Sequence, residues 1–136
     1  MSADASYEVF FEKCNQPTDE AVTKAFEVNA EVAVTYRGGS QWSIAYGEDG
    51  TIDVALNADH SASNEVRWIV GNRRQYLADP AVASRWDATY TLFFNRDDLE
   101  SAFLPLEHVV ESLVKLTHGA WFDPIQGEFP YAETQR

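Results

Sequence analysis

Between Glu31 and Ala58 the chain reads EVAVTYRGGSQWSIAYGEDGTIDVALNA, and three successive segments of that stretch alternate apolar and polar residues. Val32, Val34 and Tyr36 share one face, as do Trp42, Ile44 and Tyr46, and then Ile52, Val54 and Leu56. Side chains two residues apart point the same way only in an extended strand, so the pattern predicts three strands. Arg37-Gly38-Gly39-Ser40 and Gly47-Glu48-Asp49-Gly50 separate them. Loops this short, rich in residues that tolerate a left-handed backbone, force consecutive strands to be antiparallel neighbours. The chain therefore contains a three-stranded meander with one apolar face and one mostly polar face, the pattern of a sheet covered on one side.

The flanking segments extend this frame. YEVFFEK (7–13) reads as an earlier strand, preceded by residues 1–6, which are expected to be disordered. QPTDEAVTKAFEVNA (16–30) reads as a helix, with Thr18 as N-cap, Asp19 and Glu20 in its first turn, an inward stripe of Val22, Ala25 and Phe26, and a stop at Asn29. EVRWIVG (65–71) is expected to form a fourth strand of this region. Residues 72–87 fit either a helix or a loop, with a short helix after Asp79-Pro80 as one choice, and ATYTLFFN (88–95) reads as a further strand.

RDDLESAFLPLEHVVESLVKLTHG (96–119) is helical in pattern, with Asp97 and Glu100 as a capping box and a kink or restart expected at Leu104-Pro105. Leu106, Val109, Val110, Leu113 and Leu116 form its apolar stripe. The expected architecture is a single α+β domain over 1–136: one antiparallel sheet of about five to six strands, with two main helices packed on one face.

Electrostatics limits the partners. Asp and Glu number 22 against 10 Lys and Arg, a formal charge of −12. Such a surface repels bare nucleic acid and anionic membrane and attracts basic proteins. Cys14 is the one cysteine, so no internal disulfide forms. MSADASYE lacks the basic and apolar regions of a secretory signal, and no apolar run is of membrane-spanning length. These features together predict a cytoplasmic protein.

Catalytic signatures are missing: there is no G-x-S-x-G, no phosphate-binding glycine-lysine loop and no G-x-G-x-x-G. His60, His108 and His118 are scattered, and with a single cysteine they make no zinc pattern; no metal and no cofactor are expected. His108 and Glu111 share a helix face, but the simpler reading is a solvated face. Cys14 reads as an ordinary, partly buried thiol.

Two groups of residues stand out. Asp97, Asp98, Glu100, Glu107, His108 and Glu111 crowd the start and outer face of the last helix and are the expected docking surface for a basic protein. Arg67, Arg73, Arg74 and Arg85 gather four of the ten basic residues into a short span and offer guanidinium forks to a phosphate or carboxylate, although pairing with the acidic excess is the simpler explanation. Trp68 and Trp86 lie nearby in sequence and would line a groove or join the core.

Toward the C-terminus stands LVKLTHGAWFDPIQGEFPY (113–131). A structural role accounts for each of its marked residues. Gly119 serves as a left-handed helix stop, and His118 lies near the negative end of the helix dipole. Asp123-Pro124 to Gly127 form the turn of a small hairpin between Trp121-Phe122 and Glu128–Tyr131. This tail, after an amphipathic helix in a short acidic α+β chain, resembles small bacterial immunity proteins of toxin–immunity systems, in some of which a helix ends in a GA-x-x-D-P turn near the C-terminus. The resemblance rests on the tail alone. It implies a cytoplasmic, non-enzymatic inhibitor that occludes a toxin's active site, and it transfers no site residues.

Three functions remain open at the level of sequence. One is an immunity-type inhibitor whose acidic surface neutralises a basic toxin, such as a nuclease. The second is a mimic of nucleic acid with carboxylates spaced like phosphates. The third is a small-molecule-binding domain or enzyme with a pocket lined by Trp42, Tyr46, Trp68 and the arginines.

Overall fold

The computed structural model describes residues 4–72, 77, 79–123 and 128–132. In chain order it contains β1 (Asp4–Phe11), α1 (Asp19–Glu27), β2 (Val32–Gly38), β3 (Gln41–Tyr46), β4 (Gly50–Asn57), α2 (His60–Asn72), α3 (Pro80–Ala83), β5 (Ala88–Asn95), α4 (Leu99–Thr117), β6 (Ala120–Asp123) and β7 (Glu128–Ala132). The architecture is α+β, with the strands in one sheet of order β2-β3-β4-β5-β1-β6-β7. Every neighbouring pair is antiparallel.

The meander forms as its alternation requires. Tyr46 stands opposite Val32 on one side and Gly50 on the other, and Ile44 lies between Val34 and Ile52. Gly38, Gly39 and Ser40 carry the β2–β3 turn with φ of 83°, 59° and 59°, values that only glycine adopts freely. The two strands of the tail hairpin also form, while its expected turn at 124–127 lies outside the described residues. The hairpin does not stand apart: β6 pairs with β1, which places β1 between β5 and β6 in the sheet.

Two helices lie on one face, as the amphipathic patterns require. Val22 and Phe26 of α1 and Leu106, Val110 and Leu113 of α4 pack against Phe11, Trp42, Ile44, Ile52, Tyr90 and Leu92 of the sheet. Burying each large apolar side chain stabilises the fold by roughly 1.5–3 kcal/mol relative to exposing it, so this layer dominates the core. Thr18 caps α1 by accepting from the Ala21 N–H at 3.2 Å. Asp19 ties the helix to the β2–β3 turn, accepting from the Ser40 hydroxyl at 2.7 Å, from the Ser40 N–H at 3.1 Å and from the Tyr36 hydroxyl.

Among the described residues, the opposite face is covered over β5, β1 and β6. Val66 and Val70 of α2, together with Ala83 and Trp86, enclose Phe10, Ala120 and Phe122 in a second cluster. Over the meander no described element covers that face, and there Arg37 donates to Ser43, which donates to Asp53, each at 2.7 Å.

Several sequence-based expectations change. Residues 65–71 belong to the 13-residue helix α2 and not to a strand. Asp59 caps that helix by accepting from the Ala62 N–H at 2.8 Å. Asp4–Ser6 are not disordered but pair with Phe93–Asn95 as the start of β1, and residues 1–3 lie outside the described residues. The strand ends at Phe11, and Lys13–Asn15 form a 3-10 turn in which Cys14 is exposed rather than partly buried. Of the uncertain span 72–87, Pro80–Ala83 form the short helix, capped by Asp79. α4 runs through Pro105 without restarting, and the expected capping box is absent: Arg96–Asp98 form a 3-10 turn, and the Asp98 N-cap makes no side-chain capping bond.

The end of α4 also differs in detail. His118 takes the left-handed conformation, with φ 56° and ψ 31°, while Gly119 lies outside that region. Glycine is needed at 119 for another reason: a β-carbon there would sit 2.1 Å from the Phe10 carbonyl oxygen.

Candidate partner-binding cleft

The β3–β4 turn, the loop after α1 and the first turns of α4 meet at one end of the sheet. They enclose an open cleft of about 610 Å³. Its titratable walls are all acidic among the described residues: Glu31 after α1, Glu48 and Asp49 in the turn, and Asp98 at the start of α4. Tyr46 forms the floor, its hydroxyl donating to Asp98 Oδ2 at 2.6 Å. Burial, then the hydrogen bond to Asp98 and its charge, push the Tyr46 hydroxyl well above its ordinary pKa, so it stays a donor. The Tyr46 ring lies over Gly50, where a β-carbon would come within 2.2 Å of it.

The α4 wall adds acceptors. Pro105 and Ser101 both line the cleft, and proline has no N–H to give the carbonyl four residues before it, which is that of Ser101. Leu104 lines the same cleft with 72% of its surface exposed, and Val28, beside the lining residue Asn29, is 78% exposed. The cleft continues across the ends of β4 and β5 into a hollow of about 390 Å³ that adds Asp53 and the half-exposed Phe93. Chemically, the region offers negative charge, hydrogen-bond acceptors and an apolar rim. It suits an ammonium or guanidinium group carried beside apolar side chains.

The residues expected to form a docking surface are only partly brought together. Asp98 lines the cleft, and Asp97 and Glu100 are exposed on either side of it in sequence. Glu107 is half-buried, and Glu111 is exposed further along α4. His108 does not face water as expected: it is half-buried between α4 and α1, with Nε2 3.3 Å from the Phe26 carbonyl oxygen. A carbonyl only accepts, so the imidazole N–H donates and satisfies an end-of-helix acceptor of α1. Sequence reasoning does not find Glu31, Glu48 and Asp49, because each sits in a turn, where an acidic residue needs no functional explanation. The available signal is their number, three carboxylates in the two connections that lead into β2 and out of β3.

The arginines do not form a described cluster. Arg67 is exposed on α2, Arg85 pairs with Glu12 at 3.5 Å, and Arg73 and Arg74 lie outside the described residues. The expected aromatic pocket is divided: Trp42 is buried in the α1–α4 layer, Tyr46 lies in the acidic cleft, and Trp68 is 71% exposed on α2; Trp86, which sequence placed with Trp68 in a groove or in the core, is buried in the other cluster. His60 and His118 are exposed at separate helix ends. Among the described residues no three His, Cys, Asp or Glu side chains are grouped to hold a metal ion. No described helix is long and apolar enough to cross a membrane. Comparison with protein families, curated proteins and solved structures finds no match to this chain.

Proposed function

We propose that this chain is a non-enzymatic, protein-binding inhibitor of the immunity type, acting in the cytoplasm, which neutralises a basic partner through the acidic cleft at the end of its sheet. The observation that carries this reading is the cleft's composition: about 610 Å³, with Glu31, Glu48, Asp49 and Asp98 as its described titratable residues besides Tyr46, and the exposed Leu104 on its wall. A formal charge of −12 supports it, because a strongly negative field speeds encounter with a positive partner. The exposed Leu104 on the cleft wall supplies apolar contact beside the charges. A toxin with a positive substrate groove, such as a nuclease, is the partner this chemistry fits.

The test is co-expression with the products of neighbouring reading frames, using the native chain and a variant carrying E31Q, E48Q and D49N together. The native chain is expected to protect cells from one such product with a basic surface and to co-purify with it. The triple variant, folded to the same thermal stability, is expected to lose both. Protection that survives in the triple variant, or absence of any toxic basic neighbour, rejects the reading.

A further inference from the structure

The N-terminal half of α2 buries only the small Ala62 and Ser63. Its C-terminal half is seated by Val66 and Val70 on Phe10 and Phe122. Toward its start, a groove of about 390 Å³ separates Ser61 and Glu65 from Glu8, Thr89 and Thr91 on the strands. Glu8 projects from β1 into this groove and accepts from the Thr91 hydroxyl at 3.2 Å and from the Thr89 hydroxyl at 3.4 Å.

The charges facing Glu8 are of one sign. Glu65 comes from α2 and Asp59 from the residue that caps it, while β4 and β5 contribute the neutral Asn57, Thr89 and Thr91. In the β6 register Glu8 faces Phe122, which is uncharged. His60, the one base in the first half of α2, is exposed and bonded to Asn64. No cation lines the groove among the described residues.

We infer that the N-terminal half of α2 is a pH-responsive flap, clamped onto the sheet when the Glu8 carboxyl is protonated and loosened when Glu8 is ionised. The electrostatics agree in sign. Burial first, and then the charge of Glu65, push the Glu8 pKa above its ordinary 4.5, against a smaller opposing effect of the two threonine hydroxyls. The cost of the charged form is fully present above the folded pKa and vanishes as pH falls below 4.5, so acidification tightens the contact. Loosening stays local because the apolar contacts of Val66 and Val70 do not titrate.

Amide hydrogen exchange tests this, read as protection of Ala62–Val66 relative to Tyr90–Leu92 of β5 after correction for intrinsic rates. From about pH 7.5 down to about pH 4, below the ordinary carboxyl value, the native ratio is expected to rise at least about twofold. In E8Q the ratio is expected to be high and flat; in E65Q, whose site is exposed and does not threaten folding, the rise is expected to be smaller than in the native chain, because burial of Glu8 remains. E27Q, exposed at the end of α1 and outside the groove, is expected to behave as the native chain. A native ratio that does not change with pH overturns the inference. So does a pH response that persists in E8Q, one that E65Q leaves undiminished, or one that E27Q abolishes equally.

Discussion

The Tyr46 hydroxyl reaches from β3 to the carboxylate of Asp98 at the head of α4, 2.6 Å away, and joins two elements 52 residues apart in sequence. This bond occupies the carboxylate that would otherwise cap the helix, and it fixes the cleft floor against the α4 wall. Tyr46→Phe removes a hydrogen bond to a charged group and is expected to lower stability by about 1–2 kcal/mol. Gly50→Ala is expected to do at least as much, because the new methyl must displace the Tyr46 ring. Chemical denaturation of both variants, with the linear slope unchanged, checks this.

Asp19 governs a second long-range tie. Burial opposes its charge, but hydrogen bonds from Tyr36 and Ser40 together outweigh burial and hold its pKa below the ordinary 3.8. A depressed carboxylate contributes stability that is present above its unfolded pKa and is lost as pH falls through the folded one. Asp19→Asn is therefore expected to cost about 1–2 kcal/mol near pH 7 and distinctly less near pH 2.5, where the native carboxylate is increasingly neutral. Denaturation curves at the two pH values give the difference. Equal losses at both would show that the bonds do not depend on charge.

Neighbouring residues at the end of α4 are expected to respond in opposite directions. His118 holds a left-handed backbone at some cost, so His118→Gly is expected to be neutral or to stabilise by up to about 1 kcal/mol. Gly119→Ala drives a methyl into the Phe10 carbonyl, a backbone atom in a strand paired on both sides that has no room to move. A loss of about 3 kcal/mol or more is expected, as for other severe overpacking. Melting temperatures of the pair separate the two effects.

In the core, the Tyr90 hydroxyl is fully buried with no hydrogen-bond partner among the described residues. Burial, and secondarily the charge of Asp19, raise its pKa far enough that it remains protonated throughout the working range. A buried hydroxyl left without a partner costs about 1–3 kcal/mol, so Tyr90→Phe is expected to stabilise the protein. The Trp42 indole makes the contrasting case. Its N–H donates to Thr23 at 2.8 Å, and Thr23→Val is expected to destabilise by about 1–3 kcal/mol. Urea midpoints of the two variants should move in opposite directions.

How much of the molecule is readable in the sequence depends on the range of the interactions involved. The meander, the Thr18 cap, β5 and the tail strands follow from local alternation and turn chemistry, and all form. α2 passes for a strand because Val66, Trp68 and Val70 mimic alternation. Ala62, Val66 and Val70, spaced by four and preceded by the Asp59 cap, carry the helical signal, and the exposure of Trp68 breaks the apparent strand face. Of the cleft's carboxylates, only Asp98 is legible. The others belong to turns that are remote in sequence from α4 and meet it through the sheet, a relation no local pattern encodes. The placement of His108 is hidden for the same reason: its partner is a backbone atom of α1.

The position of β1 between β5 and β6 sets an order on biogenesis. As the polypeptide leaves the ribosome, its first strand emerges long before either neighbour, and both of its edges stay unpaired until Ala88–Asn95 and then Ala120–Asp123 have been translated. A nascent chain arrested before Ala120 would hold an open margin on a strongly apolar strand, so chaperone occupancy during translation should persist until nearly the whole of this sequence has emerged.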